Sequence, residues 1–186
     1  MDIKQTIHDA LLKELVKKDD KGKYPNLMKL VRHGKFTVKC SVDLRNEKGC
    51  IDVVLTYPKP IYCKVTEDGG LVIAEAPPKP TAFELVTDID FDVGKKLEQL
   101  NRYKREYYDT RVIIPEEYKE DYAQLFSIND ITVHVWKGTR RWKCKKCGNV
   151  TEVKESSMEP NKCGSKSCNS NQLYFIGLRD DDVQFN

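Results

Sequence analysis

Four cysteines near the C-terminal end of the sequence constrain this chain more than any other feature. They stand as Cys144-Lys145-Lys146-Cys147, then fifteen residues, then Cys163-Gly164-Ser165-Lys166-Ser167-Cys168. Two close pairs separated by a medium loop have the spacing of a four-thiolate zinc ribbon. Each pair folds into a tight knuckle that aims two sulfurs at one ion, and the loop closes the tetrahedron. Gly148 follows the first pair and Gly164 lies inside the second, where tight turns are needed. The expectation is a structural Zn²⁺ on Cys144, Cys147, Cys163 and Cys168. The alternative is a pair of disulfides, which a reducing compartment disfavours. Cys40, Cys50 and Cys63 fall inside apolar, strand-like runs and read as reduced small hydrophobes.

The charge is uneven along the chain. Residues 137–186 carry 10 Lys and Arg against 6 Asp and Glu, although the whole chain is only +3. Lys137, Arg140, Arg141, Lys143, Lys145 and Lys146 lie within ten residues, with Trp136 and Trp142 among them. Cations displace counterions from phosphates and rings stack on bases. This stretch therefore reads as a nucleic-acid footprint made by Lys137, Arg140, Arg141, Trp142, Lys143, Lys145 and Lys146. The competing reading is a solvated basic surface beside a structural metal site. A chain of 186 residues with 39% hydrophobic residues can bury a core. It has no run of about 20 apolar residues, so no membrane helix is expected. Its N-terminal stretch lacks the apolar run of a signal peptide, so a cytoplasmic, reducing location is expected.

Along the chain, Ile3, Ile7, Leu11 and Leu15 share one face of a helix over residues 3–18. Residues 25–35 read as a short helix or turn ended by Gly34. Residues 36–44 and 50–58 read as antiparallel strands, and 61–75 as a hairpin turning at Asp68-Gly69-Gly70. A proline-rich connector at 76–80 leads to a strand at 81–89, a helix at 93–108 and a buried strand at 110–115. A helix at 116–126 and a strand at 130–136 follow. That order gives an α/β (α+β) fold, a mixed central sheet flanked by helices, with a small C-terminal zinc-ribbon domain. The anticipated division is 1–136 and 137–186.

Two acids interrupt apolar strands: Asp52 in Cys50-Ile51-Asp52-Val53-Val54-Leu55, and Glu84 in Ala82-Phe83-Glu84-Leu85-Val86. A carboxylate in such a place is costly to bury without a partner. Two of them on neighbouring strands would suit Mg²⁺ or Mn²⁺, whereas on an exposed sheet face they would simply meet solvent. Lys96, Gln99 and Tyr103 lie at i, i+3 and i+7 on the following helix and share a face.

This run, an Ile-Asp strand, then Phe-Glu-Leu-Val, then a helix containing Gln-Leu-Asn-Arg-Tyr, then Val-Ile-Ile-Pro, resembles the PD-(D/E)xK nuclease superfamily, particularly its RecB-like branch. The resemblance covers roughly residues 1–136 and implies a restriction-endonuclease-like fold. It implies that Asp52 and Glu84 bind the divalent ion and that Gln99 and Tyr103 support the site. The family's lysine, two residues after the glutamate, is replaced by Val86. Some members carry that lysine on the adjacent helix, which makes Lys96 the candidate and Lys95 the second. Without a lysine at the metal, the chain would be a degenerate nuclease that binds DNA uncut.

Asp88, Asp90 and Asp92 read as turn formers, Glu14 as a surface residue or an additional helical acid, and His8 and His33 as surface residues. His134 reads as a core or edge residue. The cysteine pairs, with Leu173-Tyr174-Phe175-Ile176 and later Asp182 and Gln184, faintly resemble the ribbon of the N-terminal region of MCM-type replicative helicases. That ribbon aids subunit assembly and contacts DNA. The expected function is a metal-dependent DNA nuclease of replication, repair or recombination. The alternative is a nuclease-like DNA-binding or assembly module, with a homo-oligomer or replication and repair proteins as partners, forming the N-terminal part of a larger helicase-type protein. A third reading is an adaptor unrelated to nucleic acid.

Overall fold

Val112, Ile113 and Ile114 are all buried, which a strand permits only when both of its faces are covered. The computed structural model describes residues 3–31, 41–44, 51–56, 61–65, 68–69, 71–75, 80–87, 92–107, 109–154, 160–179 and 182–186. In it these three residues lie on β6 (Asp109–Pro115), inside a six-stranded sheet. The other strands are β1 (Ser41–Leu44), β2 (Val53–Thr56), β5 (Pro80–Leu85), β7 (Thr132–Lys137) and β11 (Gln184–Phe185), in the order β1-β2-β5-β6-β7-β11. β5, β6 and β7 run parallel, and the remaining neighbours are antiparallel.

Alternation along the strands feeds two apolar layers. Val53, Leu55, Phe83, Leu85, Ile113 and Trp136 pack with Ile7, Leu11 and Leu15 of α1 (Ile3–Leu15) and with Leu27 and Leu30 of α2 (Pro25–Leu30). Val54, Ala82, Val86, Val112, Ile114 and Val135 pack on the other face. There they meet Leu100 and Tyr103 of α3 (Val93–Tyr103) and Phe126 of α4 (Lys119–Ile128). The chain is thus a mixed α/β fold whose central sheet lies between two helical layers.

Local chemistry sets the element ends. Asp92 caps α3 by accepting the Lys95 backbone N–H at 3.1 Å. Pro115 closes β6, and a 3₁₀ turn over Glu116–Tyr118 leads into α4. β3 (Ile61–Val65) and β4 (Leu71–Glu75) form the expected hairpin as a separate two-stranded sheet. The helices of the N-terminal half are shorter than the periodicity predicts, and so is α3. Residues 32–40, which hold the anticipated Gly34 stop, His33 and Cys40, lie outside the described residues, as do Cys50, Asp88 and Asp90. Among the described residues, no helix is long and apolar enough to cross a membrane.

β8 (Arg140–Cys144), β9 (Val150–Val153) and β10 (Leu173–Leu178) build a second, antiparallel sheet in the order β10-β8-β9. This part is tied back to the central sheet. Leu178 and Phe175 join the core beside α1, and β11 pairs with Trp136 and Lys137 of β7. The division anticipated after residue 136 therefore falls inside β7. Nothing in the composition of Gln184-Phe185 signals a strand. Phe185 finds its place because a buried slot beside Trp136 accepts it.

Candidate metal centres

The sequence-marked acids and the α3 face converge at the end of β5. Glu84 points between the sheet and α3 and is 4% exposed. Lys96 Nζ lies 2.6 Å from Glu84 Oε1 and 2.9 Å from Gln99 Oε1. Gln99 Nε2 donates to Glu84 Oε1 at 3.1 Å and to the Tyr103 hydroxyl at 2.6 Å. One turn spacing along α3 thus places an ammonium, an amide and a phenol in a chain that ends on one carboxylate oxygen. Lys95 goes elsewhere: its Nζ pairs with Asp92, 3.2 Å away on the exposed side of α3. Of the two candidate lysines, Lys96 is the one that reaches Glu84.

Asp52 precedes β2 and is held from two sides. Its Oδ2 accepts the Leu85 backbone N–H at 2.7 Å, and its Oδ1 lies 3.2 Å from His8 Nε2. His8 corrects the sequence reading, which put it on the surface. It is mostly buried on α1, with Nδ1 3.6 Å from Asp9. The hydrogen bond to Asp52 raises its pKa above the usual imidazole value, against the opposing effect of burial. The one sequence signal was its place one residue after Ile7 on the buried side of an amphipathic helix.

Burial, reinforced by the charge on nearby Asp52, pushes the Glu84 carboxyl up to about 7, and the Lys96 ammonium only partly offsets it. The other oxygen, Glu84 Oε2, is buried and has no hydrogen-bond partner among the described residues. An orphaned carboxylate oxygen beside a second carboxylate is a donor set that fits a hard divalent cation. Asp52 and Glu84 would hold it. Val86, two residues after Glu84, is buried in the apolar layer with Leu100 and Tyr103. Glu14 is remote in its contacts, pairing with Lys17 at 3.2 Å. Asp92 is the α3 cap.

The four C-terminal cysteines converge as well. All four sulfurs lie within 4.8 Å of one another, with Cys147 Sγ 3.5 Å from Cys163 Sγ and Cys144 Sγ 3.9 Å from Cys168 Sγ. A tetrahedral ion with metal–sulfur bonds of about 2.3 Å separates its sulfurs by about 3.8 Å, so the set can hold a metal ion such as zinc. Turn geometry explains the convergence. Gly148 takes φ +75° and donates its N–H to the Cys144 carbonyl at 2.9 Å, closing the first knuckle. In the second, Gly164 N–H donates to Thr151 Oγ1 at 2.9 Å, and a Cβ there would stand only 3.2 Å from that oxygen. Knuckle amides, that of Cys147 first, pull the Cys144 thiol down to about 6.

The basic stretch divides by strand face. Trp142 is 1% exposed and meets Phe175 edge to face at 5.6 Å, so its ring is a core element and not a stacking surface. Arg140 is also buried, over the Trp136 ring at 5.8 Å and 3.5 Å from the Thr87 carbonyl. Arg141 and Lys137 are ion-paired, with Glu152 and Glu116 respectively. Lys143, Lys145 and Lys146 are exposed. His134 sits against Phe83 and Arg111, inside the fold as expected.

Compared with family models, with curated proteins and with solved structures, the chain matches none. Its chemistry is therefore read from its own two clusters.

Proposed function

We propose that this chain is a divalent-metal-dependent nuclease that hydrolyses phosphodiester bonds in DNA, on a restriction-endonuclease-like scaffold of the PD-(D/E)xK kind. The observation that carries the reading is the meeting of Asp52, Glu84 and Lys96, with one buried carboxylate oxygen unpartnered among the described residues. A hairpin of β1 and β2 followed by the β5–α3–β6–α4–β7 crossovers supports the scaffold assignment. Bound by Asp52 and Glu84, Mg²⁺ or Mn²⁺ supplies neutralisation of phosphoryl charge and a lowered pKa for a bound water.

The chain's own residues do the rest. The Leu85 N–H and His8 fix the Asp52 carboxylate, so it need not reorganise. Gln99 accepts from Lys96 and is itself aligned by Tyr103. Lys96 brings a positive charge and a donor to the place where a water or phosphoryl oxygen would bind. The cysteine cluster, as a structural Zn²⁺ site, keeps the ribbon folded beside it, and the exposed lysines meet the backbone. The proposed setting is intracellular DNA replication or repair, with a homo-oligomer or other replication proteins as partners.

The test is incubation of single- and double-stranded DNA with Mg²⁺ or Mn²⁺. Asp52→Ala and Glu84→Ala should abolish cleavage, and Lys96→Ala should slow it about 10²-fold or more. Cleavage that persists unchanged in both acid variants rejects the assignment. Burial of Val86 in the lysine's place favours a second reading, a scaffold that binds DNA without cutting it. On that reading binding weakens steeply with salt, and no divalent ion elicits products.

A further inference from the structure

The ribbon sheet has one face that the hydrolytic reading does not use. Trp142, Cys144 and Phe175 turn inward along β8 and β10, so Lys143, Tyr174 and Ile176 turn outward. Strand pairing puts Tyr174 opposite Lys143 and Lys143 opposite Val150, making one row across the sheet. Tyr174 and Ile176 are each 40% exposed. A bulge between Phe175 and Gly177 leaves Ile176 with no partner on β8.

Charge identifies the occupant. Lys143, Lys145 and Lys146 are exposed and carry no ion pair among the described residues. Among the described residues, the acid of this face is Glu152, and it is already shared by Arg141 at 3.8 Å and Arg179 at 3.4 Å. A cationic surface carrying an exposed ring suits a polyanion with stackable faces. A duplex hides those faces, whereas a single strand offers them.

We infer that this face is a platform for single-stranded nucleic acid, with a base stacked on Tyr174 and the flanking phosphates held by Lys143, Lys145 and Lys146. It rests on the nuclease reading for its setting and narrows the substrate to single strands.

The experiment measures fluorescence anisotropy of a labelled oligothymidylate with the full, zinc-loaded chain and no added Mg²⁺ or Mn²⁺. Tyr174→Ala should weaken binding about tenfold, and Tyr174→Phe should retain it. Lys143→Gln should flatten the log–log salt slope by about 0.7. Affinity for a duplex should not depend on Tyr174. Unchanged single-strand affinity in Tyr174→Ala, or an unchanged salt slope in Lys143→Gln, overturns the platform. So does loss of self-association in sedimentation on Tyr174→Ala, which marks the face as a contact between copies. If single-strand affinity ignores Tyr174 while cleavage still needs Glu84, the platform fails and the hydrolytic reading stands. If binding needs Tyr174 but no divalent ion elicits cleavage, the platform stands and the hydrolytic reading fails.

Discussion

Glu84 sits on a strand with neighbours on both sides, whereas the four cysteines gather at one end of a three-stranded sheet, Cys144 closing β8 and the other three lying outside the strands. Both regions gather groups that ionise negatively, but they hold them differently. Around Glu84 and Asp52, the sheet, α1 and α3 provide a backbone N–H, an imidazole, an ammonium and an amide. These groups hold the carboxylates in place. Around the cysteines, the buried core is three of the sulfurs with Leu173 packed alongside. So small an apolar cluster cannot offset the entropy of ordering two knuckles. On the proposed reading, a metal in the first region would complete a site that the fold has already built, and a metal in the second would supply the cohesion.

The largest consequence is unequal loss on chelation. Binding of a structural Zn²⁺ is worth about 10–16 kcal/mol in small zinc modules, and that energy is folding energy. Stripping zinc, or making Cys163→Ser, should raise hydrogen–deuterium exchange throughout residues 140–178 and leave β5 and β6 protected. Equal loss of protection in both regions would break the comparison, and would show that β11 and Phe185 couple the ribbon to the central sheet.

A smaller effect concerns pH. The unfolded Glu84 carboxyl titrates near 4.5 and the folded one at about 7, so between those values the folded state binds the extra proton. This contribution to stability is complete below pH 4.5 and is lost as pH climbs through 7. It amounts to about 3 kcal/mol at most. Denaturant titrations without Mg²⁺ or Mn²⁺ should show the decline, and Glu84→Gln should remove it. Lys96→Met should cost more stability at pH 8 than at pH 6, because protonation rescues the abandoned carboxyl only at the lower pH. A decline that persists in Glu84→Gln assigns the titration to another group.

The smallest effect is expected where charge is exposed. Lys137 and Glu116 meet at 3.5 Å and are both nearly half exposed. Lys137→Ala should change the unfolding free energy by no more than about 0.5 kcal/mol, and added salt should erase even that. A larger loss would give this surface pair a structural role that solvent screening argues against.

The cysteine cluster was legible because its information is local: two short spacings and a glycine form each knuckle, whatever the rest of the chain does. The carboxylate cluster was legible for a related reason. An acid inside an apolar strand must find a partner, and helical spacing alone puts Lys96, Gln99 and Tyr103 on one face. His8 was not legible, because only the seating of α1 on the sheet brings it to Asp52. Trp142 was misjudged as a stacking ring, since alternation says that neighbours differ in face but not which of them points inward. Pairing with β10 settled that by setting Phe175 against it.

By itself, then, the sequence determined which residues repeat with helical or strand period and which four sulfurs could share an ion. These follow from chain geometry over a few residues. Only the tertiary structure decided the inward face of the ribbon, the return of β11 to the central sheet and the seating of His8. Each of those depends on contacts between segments far apart in the chain, and their register is chosen by whichever packing buries the most apolar surface without stranding a polar group.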